Sequence, residues 1–265
     1  MTTDARKSIF ITGAASGMGR ATATLFASRG WFVGGYDVNA AALDALGAEI
    51  GLSNGLFEPL DVTDPAAFAR AVAGFGAATG GTLDLLFNNA GIGTGGLFEE
   101  MPWDEVMRVV SINLLGPMIG TRAALPLLRA TPGSLCLNNS SSSSIFGTAG
   151  IAVYSATKHA VRGLTEALAI EFKRFDVRAA DLFPGLIDTP LLSDGMREMA
   201  PAEGMWRLVK PAEVAETVWA AYASDKLHWY VPQELKAFDL QAVEQPEAVR
   251  EERTPLFAMM LAAVQ

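Results

Sequence analysis

A short apolar run that breaks into a glycine-rich turn and resumes as a helix leaves a chain few folds to choose from. Ser8-Ile9-Phe10-Ile11 reads as a buried strand, and Thr12-Gly13-Ala14-Ala15-Ser16-Gly17-Met18-Gly19 as a tight turn. Arg20 to Ser28 then reads as a helix that opens on small residues. Glycine lets backbone approach a pyrophosphate, and a helix N-terminus offers unpaired N–H groups and a favourable dipole. The spacing is G-x-x-x-G-x-G, not the G-x-G-x-x-G of the common dinucleotide fingerprint. Taken alone, it fits a plain Gly-rich turn equally well.

The rest of the chain repeats the alternation. Apolar runs at Trp31–Tyr36, Leu56–Leu60, Leu83–Phe87, Ser134–Leu137, Val177–Phe183 and Leu227–Val231 predict strands. Helical stretches fall near 40–50, 64–79, 102–129, 151–174 and 211–223, with a kink or break expected at Pro117 or Pro126. Strand–helix alternation over 265 residues, half of them hydrophobic and 26 of them Gly, predicts one α/β domain with a doubly wound parallel sheet. Ligands of such a sheet bind at the C-terminal ends of the strands. The domain is expected over 1–232, followed by a mostly helical extension over 233–265.

Asp37 ends the second apolar run, eighteen residues past Gly19. An acid about 20 residues beyond the fingerprint bonds the ribose hydroxyls of NAD, and its charge repels the 2′-phosphate of NADP. Neither Ser16 nor Val38 is basic, so nothing beside it offsets that repulsion. NAD is the expected cofactor.

Tyr154 and Lys158 stand at i and i+4 in Y-S-A-T-K, on one helix face. An ammonium about 4 Å from a phenol at an effective dielectric near 20 is worth roughly 4 kcal/mol, or about three pKa units. That shift would bring the phenol near 7, where it serves as a general base. The run Ser140 to Ser144, with Ser141 thirteen residues before Tyr154, supplies a hydroxyl, and composition alone does not choose among the five serines. Together they can move a proton to or from a carbinol oxygen. Asn138-Asn139 is more polar than a buried strand end usually is, so the strand is expected to stop near Leu137.

With T-G-x-x-x-G-x-G at Thr12–Gly19, N-N-A-G at Asn88–Gly91, the Ser141/Tyr154/Lys158 set and P-G-x-x-x-T at Pro184–Thr189, the chain resembles a single-domain short-chain dehydrogenase/reductase over about residues 8 to 231. The resemblance implies a Rossmann-type fold and hydride transfer between NAD(H) and a secondary alcohol or ketone. It implies that Gly13, Ser16, Gly17, Met18 and Gly19 meet the cofactor, as do Asp37, Tyr154 and Lys158. Asp61 and Val62 would flank the adenine, and Asn89, Ala90 and Gly91 the ribose side. Pro184, Ile187 and Thr189 would meet the nicotinamide and its neighbouring phosphate. Asn113 matches the helix asparagine that holds a water next to the catalytic lysine. No metal is called for. A catalytically idle NAD-binding sensor on the same fold is the alternative, and the presence of both Tyr154 and Lys158 weighs against it.

A net charge of −9 argues against nucleic acid and anionic membrane as partners. No long apolar run or apolar signal core appears, and Cys136 is the single cysteine, so a cytoplasmic enzyme is expected. His159 and His228 are expected to be structural. A small-residue stripe, Ala156, Ala160, Gly163 and Ala167, runs opposite Tyr154, and in the family this helix and the one before it build an interface. A homodimer or homotetramer is therefore expected, unless the stripe packs within one subunit. After Thr189 the segment Pro190 to Trp206 is rich in Leu, Met and Trp, with Gly195 and Gly204 as candidate hinges and no cation before Arg197. It predicts a neutral, mainly apolar, cyclic or aromatic alcohol or ketone. The apolar stretch from Phe257 to Val264 either docks on its own domain or reaches a partner subunit.

Overall fold

The computed structural model describes residues 6–264. β1 (Ser8–Thr12) leads into α1 (Gly17–Ser28) and returns as β2 (Phe32–Asp37). The alternation continues through α2 (Ala40–Ile50), β3 (Gly55–Pro59), α3 (Pro65–Thr79) and β4 (Leu85–Asn88). Then follow α4 (Trp103–Val110), α5 (Gly116–Arg129), β5 (Ser134–Asn139), α6 (Ala152–Glu171) and β6 (Val177–Pro184). The chain finishes with α7 (Asp194–Met199), α8 (Pro211–Tyr222), β7 (His228–Val231), α9 (Leu235–Glu244) and α10 (Pro246–Val264).

The seven strands form one sheet in the order β3-β2-β1-β4-β5-β6-β7, and every pairing is parallel. Alternate side chains serve opposite faces. Ile9, Ile11, Val33, Leu85 and Phe87 pack with Phe26, Trp31, Val214 and Val218 under α1 and α8. Phe10, Tyr36, Leu86 and Cys136 pack with Phe68, Phe75, Ala124 and Leu128 under α3 and α5. Both faces are covered, which is why the strands read as unbroken apolar runs. The chain winds outward from β1 to β3, then crosses back to β4 at the other side of β1. That reversal makes the C-terminal ends of β1 and β4 the switch point, where this architecture places ligands.

Two expectations need correcting. β5 does not stop near Leu137 but runs through Asn138 and Asn139, both buried. The Asn138 amide is paired on both sides: Asn88 Nδ2 of β4 donates to its Oδ1 at 2.8 Å, and its Nδ2 donates to Thr165 Oγ1 of α6 at 2.9 Å, while Asn139 Nδ2 donates to Asn89 Oδ1 at 3.4 Å. Satisfied amides are tolerated in a buried strand. The break in the 102–129 helix also falls earlier than either proline, at a π-turn over Ser111–Leu115. Pro117 sits in the first turn of α5, where it costs little, and Pro126 is carried inside α5 near its end. Pro117 lacks the N–H that would bond the Asn113 carbonyl four residues back, and the helix rewinds at that point.

Beyond β7, Leu235, Phe238, Ala242 and Val249 of α9 and α10 join Ile145, Phe183 and Tyr230 in a third apolar cluster. Leu256 and Met259 of α10 stay exposed.

Candidate active site

The β1–α1 turn is built so tightly that only glycine fits. Gly13 and Gly17 have φ of +66° and +51°, in the left-handed region, and a Cβ on Gly19 would lie 2.1 Å from the Gly13 carbonyl oxygen. Ser16 precedes the helix in extended backbone and its side chain makes no cap bond. The first-turn N–H groups of α1 are thus left for an outside acceptor, which suits a phosphate group. Thr12 Oγ1 accepts from the backbone N–H of Asn89 and of Ala90, at 3.1 and 3.0 Å. Asn89 Nδ2 donates to the carbonyls of Thr12 and Gly13, at 3.0 and 3.1 Å. The two switch-point loops are therefore clasped into one unit.

Asp37 stands at the end of β2 with both carboxylate oxygens aimed: Oδ2 accepts from Ala15 N–H at 3.1 Å and Oδ1 from Asn39 N–H at 3.0 Å. Asp61 follows β3 and accepts from Thr63 N–H at 2.9 Å, and Val62 is buried against Gly116. On the other side, Pro184 ends β6, Ile187 pairs with Val209, and the Thr189 side chain packs on Gly17. Gly13 to Gly19, Asp37, Asp61, Val62, Asn89 to Gly91 and Pro184 to Thr189 thus line the C-terminal ends of neighbouring strands.

The proton-handling groups gather beside them. Ser140 and Ser144 are turned inward: their hydroxyls meet at 2.8 Å, Ser140 Oγ donates to the Lys158 carbonyl at 3.0 Å, and Ser144 Oγ donates to the Ser141 carbonyl at 2.6 Å. Ser141 accepts from Ser143 N–H at 3.1 Å, and of the serines it is the one whose hydroxyl opposes the rise of the Tyr154 phenol. Lys158 is almost fully buried and donates to the Asn139 carbonyl at 2.7 Å. The extra strand residue at Asn139 is what brings that carbonyl to it. Asn113 accepts from Ile92 N–H and donates to the Ile92 carbonyl, both at 2.9 Å. A Cβ on Gly91 would lie 3.3 Å from Asn113 Oδ1 and 3.6 Å from Lys158 Nζ, so Asn113 and Lys158 flank the same backbone.

The electrostatics differ from the expected lowering of the phenol by the lysine. Burial pushes the Tyr154 phenol above its ordinary 10, against the opposing bond from Ser141. Burial also pushes Lys158 down to about 8. The ammonium lies 5.5 Å from the Tyr154 ring centroid and spends a proton on Asn139, so desolvation outweighs the attraction.

Sequence reasoning missed Thr12 as the clasp and Asn139 as the lysine's acceptor. Thr12 had a signal, since it opens the quoted glycine motif, whereas a backbone carbonyl leaves none. The histidines lie outside the group: His159 Nδ1 meets the Ser155 carbonyl at 2.9 Å and His228 Nδ1 meets Asp181 at 2.7 Å. Among the described residues, no helix is long and apolar enough to cross a membrane.

A doubly wound parallel sheet with a glycine cradle at its switch point and a Ser/Tyr/Lys group beside it defines a Rossmann-type protein with proton-transfer chemistry. Residues 7–199 match the family model for short chain dehydrogenase. The chain belongs to the short-chain dehydrogenase/reductase family. It is 37% identical to trans-4-hydroxycyclohexanecarboxylate dehydrogenase of Sinomonas cyclohexanicum, covering 71% of this chain and 74% of that one. It is 35% identical to cyclohexanol dehydrogenase of Acinetobacter sp. (strain SE19), covering 80% and 86%. The structure of 3-ketoacyl-(acyl-carrier-protein) reductase from Brucella melitensis complexed with NADH superposes with a TM-score of 0.77 at 31% identity, over 85% of this chain and 96% of the other.

Proposed function

We propose that this protein is an NAD-dependent oxidoreductase acting on a neutral, mainly apolar secondary alcohol or its ketone, with a ring as the preferred frame. The observation that carries the reading is buried Lys158, held by the Asn139 carbonyl and 5.5 Å from the Tyr154 ring centroid, with Ser141 beside them at the sheet end where the glycine cradle opens. NAD, when bound, supplies the hydride acceptor for oxidation and its reduced form the donor for reduction. The first-turn N–H groups from Gly17 to Gly19 hold the pyrophosphate and Asp37 the ribose hydroxyls. Asp61 and Val62 flank the adenine. Asn89, Ala90 and Gly91 line the ribose side, and Pro184, Ile187 and Thr189 the nicotinamide end.

Tyr154 accepts the carbinol proton in oxidation and donates it in reduction. Ser141 steadies the substrate oxygen. Lys158, as in the family, favours the phenolate and holds the nicotinamide ribose, and Asn113 supports the water that links the lysine to solvent. Cyclic substrates are named for the relatives from Sinomonas and Acinetobacter. Neutrality is argued from the segment over the site. Leu191 packs on Gly93 there, and Arg197 is already paired with Asp188 at 3.0 Å and Asp194 at 2.6 Å. A buried carboxylate left without a cation is costly. With NAD, cyclohexanol should therefore exceed trans-4-hydroxycyclohexanecarboxylate in kcat/KM by roughly tenfold or more. A win for the carboxylate would overturn neutrality, and no turnover of any secondary alcohol would overturn the reading itself.

The assembly proposed is a homodimer or homotetramer. Ala156, Gly163 and Ala167 face outward on α6, and an added Cβ on Gly163 would meet nothing within 4 Å, so the stripe is not packed within the subunit. Trp103 and Met107 on α4, Leu115 in the π-turn, Met118 on α5 and Ile170 on α6 are also exposed. Apolar area of this kind marks an interaction surface. Light scattering at micromolar concentration should return at least twice the 28.0 kDa chain mass, and a monomer would refute it.

A further inference from the structure

The C-terminal extension reaches the loop that leads to Tyr154 and the segment that follows Thr189. Val249, with no exposed surface, anchors α10 on the third apolar cluster. One turn on, the Arg253 guanidinium lies 4.7 Å from the Phe238 ring centroid on α9 and 5.0 Å from that of Trp206. Trp206 and Phe238 themselves meet edge-on at 5.5 Å. Trp206 closes the segment that starts at Thr189, so this stack ties the segment's far end to α9 and α10. A further turn on, Phe257 comes to 3.7 Å from the position a Cβ on Gly150 would take. Gly150, at φ +80°, accepts from Gly96 N–H at 2.9 Å and precedes Tyr154 by one helical turn. Ile145 and Phe146, just past the serine run, share their cluster with Met205 and Trp206.

The loop leading to Tyr154 and the segment ending at Trp206 thus both meet α10, and the loop through Gly96 is tied to the first of them. A planar guanidinium suits the junction because aromatic side chains stack on its faces. Phe257 adds rigid apolar surface at the rim. We infer that α10 is a wall of the substrate cleft and the latch of the 190–208 segment, with Arg253 as its positioning residue and Phe257 as a specificity-determining contact. The specificity half rests on the alcohol reading above; the latch does not.

The test uses the full-length chain as wild type, Arg253→Gln, Arg253→Lys and Phe257→Ala. Backbone hydrogen exchange is followed over 190–208 and 145–153, with β4 and β5 as the control for global unfolding. Arg253→Gln should speed exchange over 190–208 by roughly threefold to thirtyfold, the span that loss of a partly buried cation–π pair allows. Arg253→Lys, which keeps the charge but not the flat stack, should fall between it and wild type. Phe257→Ala should speed exchange over 145–153. It should also shift the kcat/KM ratio of a bulky 4-substituted cyclohexanol to cyclohexanol by about tenfold, the scale set by a few methylenes in an apolar pocket. The Kd for NADH should hold. Unchanged exchange in Arg253→Gln and Phe257→Ala overturns the latch whether or not the enzyme turns over. An unchanged ratio in Phe257→Ala, with wild type active, overturns the wall. An inactive wild type with faster exchange in both variants upholds the latch and faults the alcohol reading instead.

Discussion

Tyr154→Phe should lower kcat by roughly 10²- to 10⁴-fold, the range general acid–base catalysis supplies, while leaving the Kd for NADH within a small factor of wild type. The substitution removes one oxygen from a partly buried ring and leaves the packing of α6 intact. Ser141 keeps the Ser143 N–H bond, so the loop should hold its shape. The direction of the phenol's shift fixes the pH dependence. Because burial holds the phenol above 10, its proton is present at neutral pH and reduction starts from the populated form. Oxidation needs the phenolate, so its kcat/KM should climb with pH while that for reduction falls at high pH. Lys158, pushed to about 8, loses its charge over the same range and limits the gain. Stopped-flow turnover in both directions between pH 6 and 10 checks this. A Tyr154→Phe protein that keeps wild-type kcat, or a wild type that binds NADH and turns over nothing, would return the chain to the idle-sensor alternative.

The same lysine shows where the fold gives up stability for the site. Its folded pKa of about 8 lies below the ordinary 10.5, so the burden is present below about pH 8 and fades above 10.5. At neutral pH that difference amounts to roughly 3 kcal/mol. The 2.7 Å bond to the Asn139 carbonyl is what makes the burial tolerable.

Most of the framework was legible because its signals are local. Ile9, Phe10 and Ile11 are apolar in succession because both sheet faces are covered, and the glycines of the first turn announce a backbone too tight for a Cβ. The misjudged places share one cause, namely that a partner distant in sequence decides the outcome. Asn138 looks like a strand end until Asn88 and Thr165 take up its amide. The break in the 102–129 helix is fixed by Asn113 bonding Ile92 as well as by Pro117, and only Pro117 declares itself in the sequence. The tyrosine–lysine pair was read from helix spacing, which gives proximity but neither burial nor the carbonyl that holds the ammonium. Arg253 carried no signal at all, since its partners Trp206 and Phe238 belong to two other elements.

Asp37→Ala should cost NAD roughly 10²- to 10⁴-fold in kcat/KM, the worth of two hydrogen bonds to a charged group. It should at the same time raise kcat/KM for NADP. The carboxylate is held in place before any ligand arrives, by Ala15 N–H on one oxygen and Asn39 N–H on the other, and each oxygen keeps a lone pair for a ribose hydroxyl. A 2′-phosphate brought to the same place meets a negative charge with no cation to answer it. Ser16 and Val38 are neutral, and Arg20, just past the cradle, is already paired with Glu49. Removing the carboxylate lifts the repulsion and the attraction together, so the preference should narrow from both sides. Asp37→Asn separates the two effects: it keeps one acceptor for the ribose, so NAD should fall less than in Asp37→Ala, while NADP rises about as much. Steady-state kcat/KM for both cofactors in the three proteins decides the matter. A wild type that favours NADP, or an NAD-to-NADP ratio unmoved by Asp37→Ala, would remove Asp37 from cofactor selection.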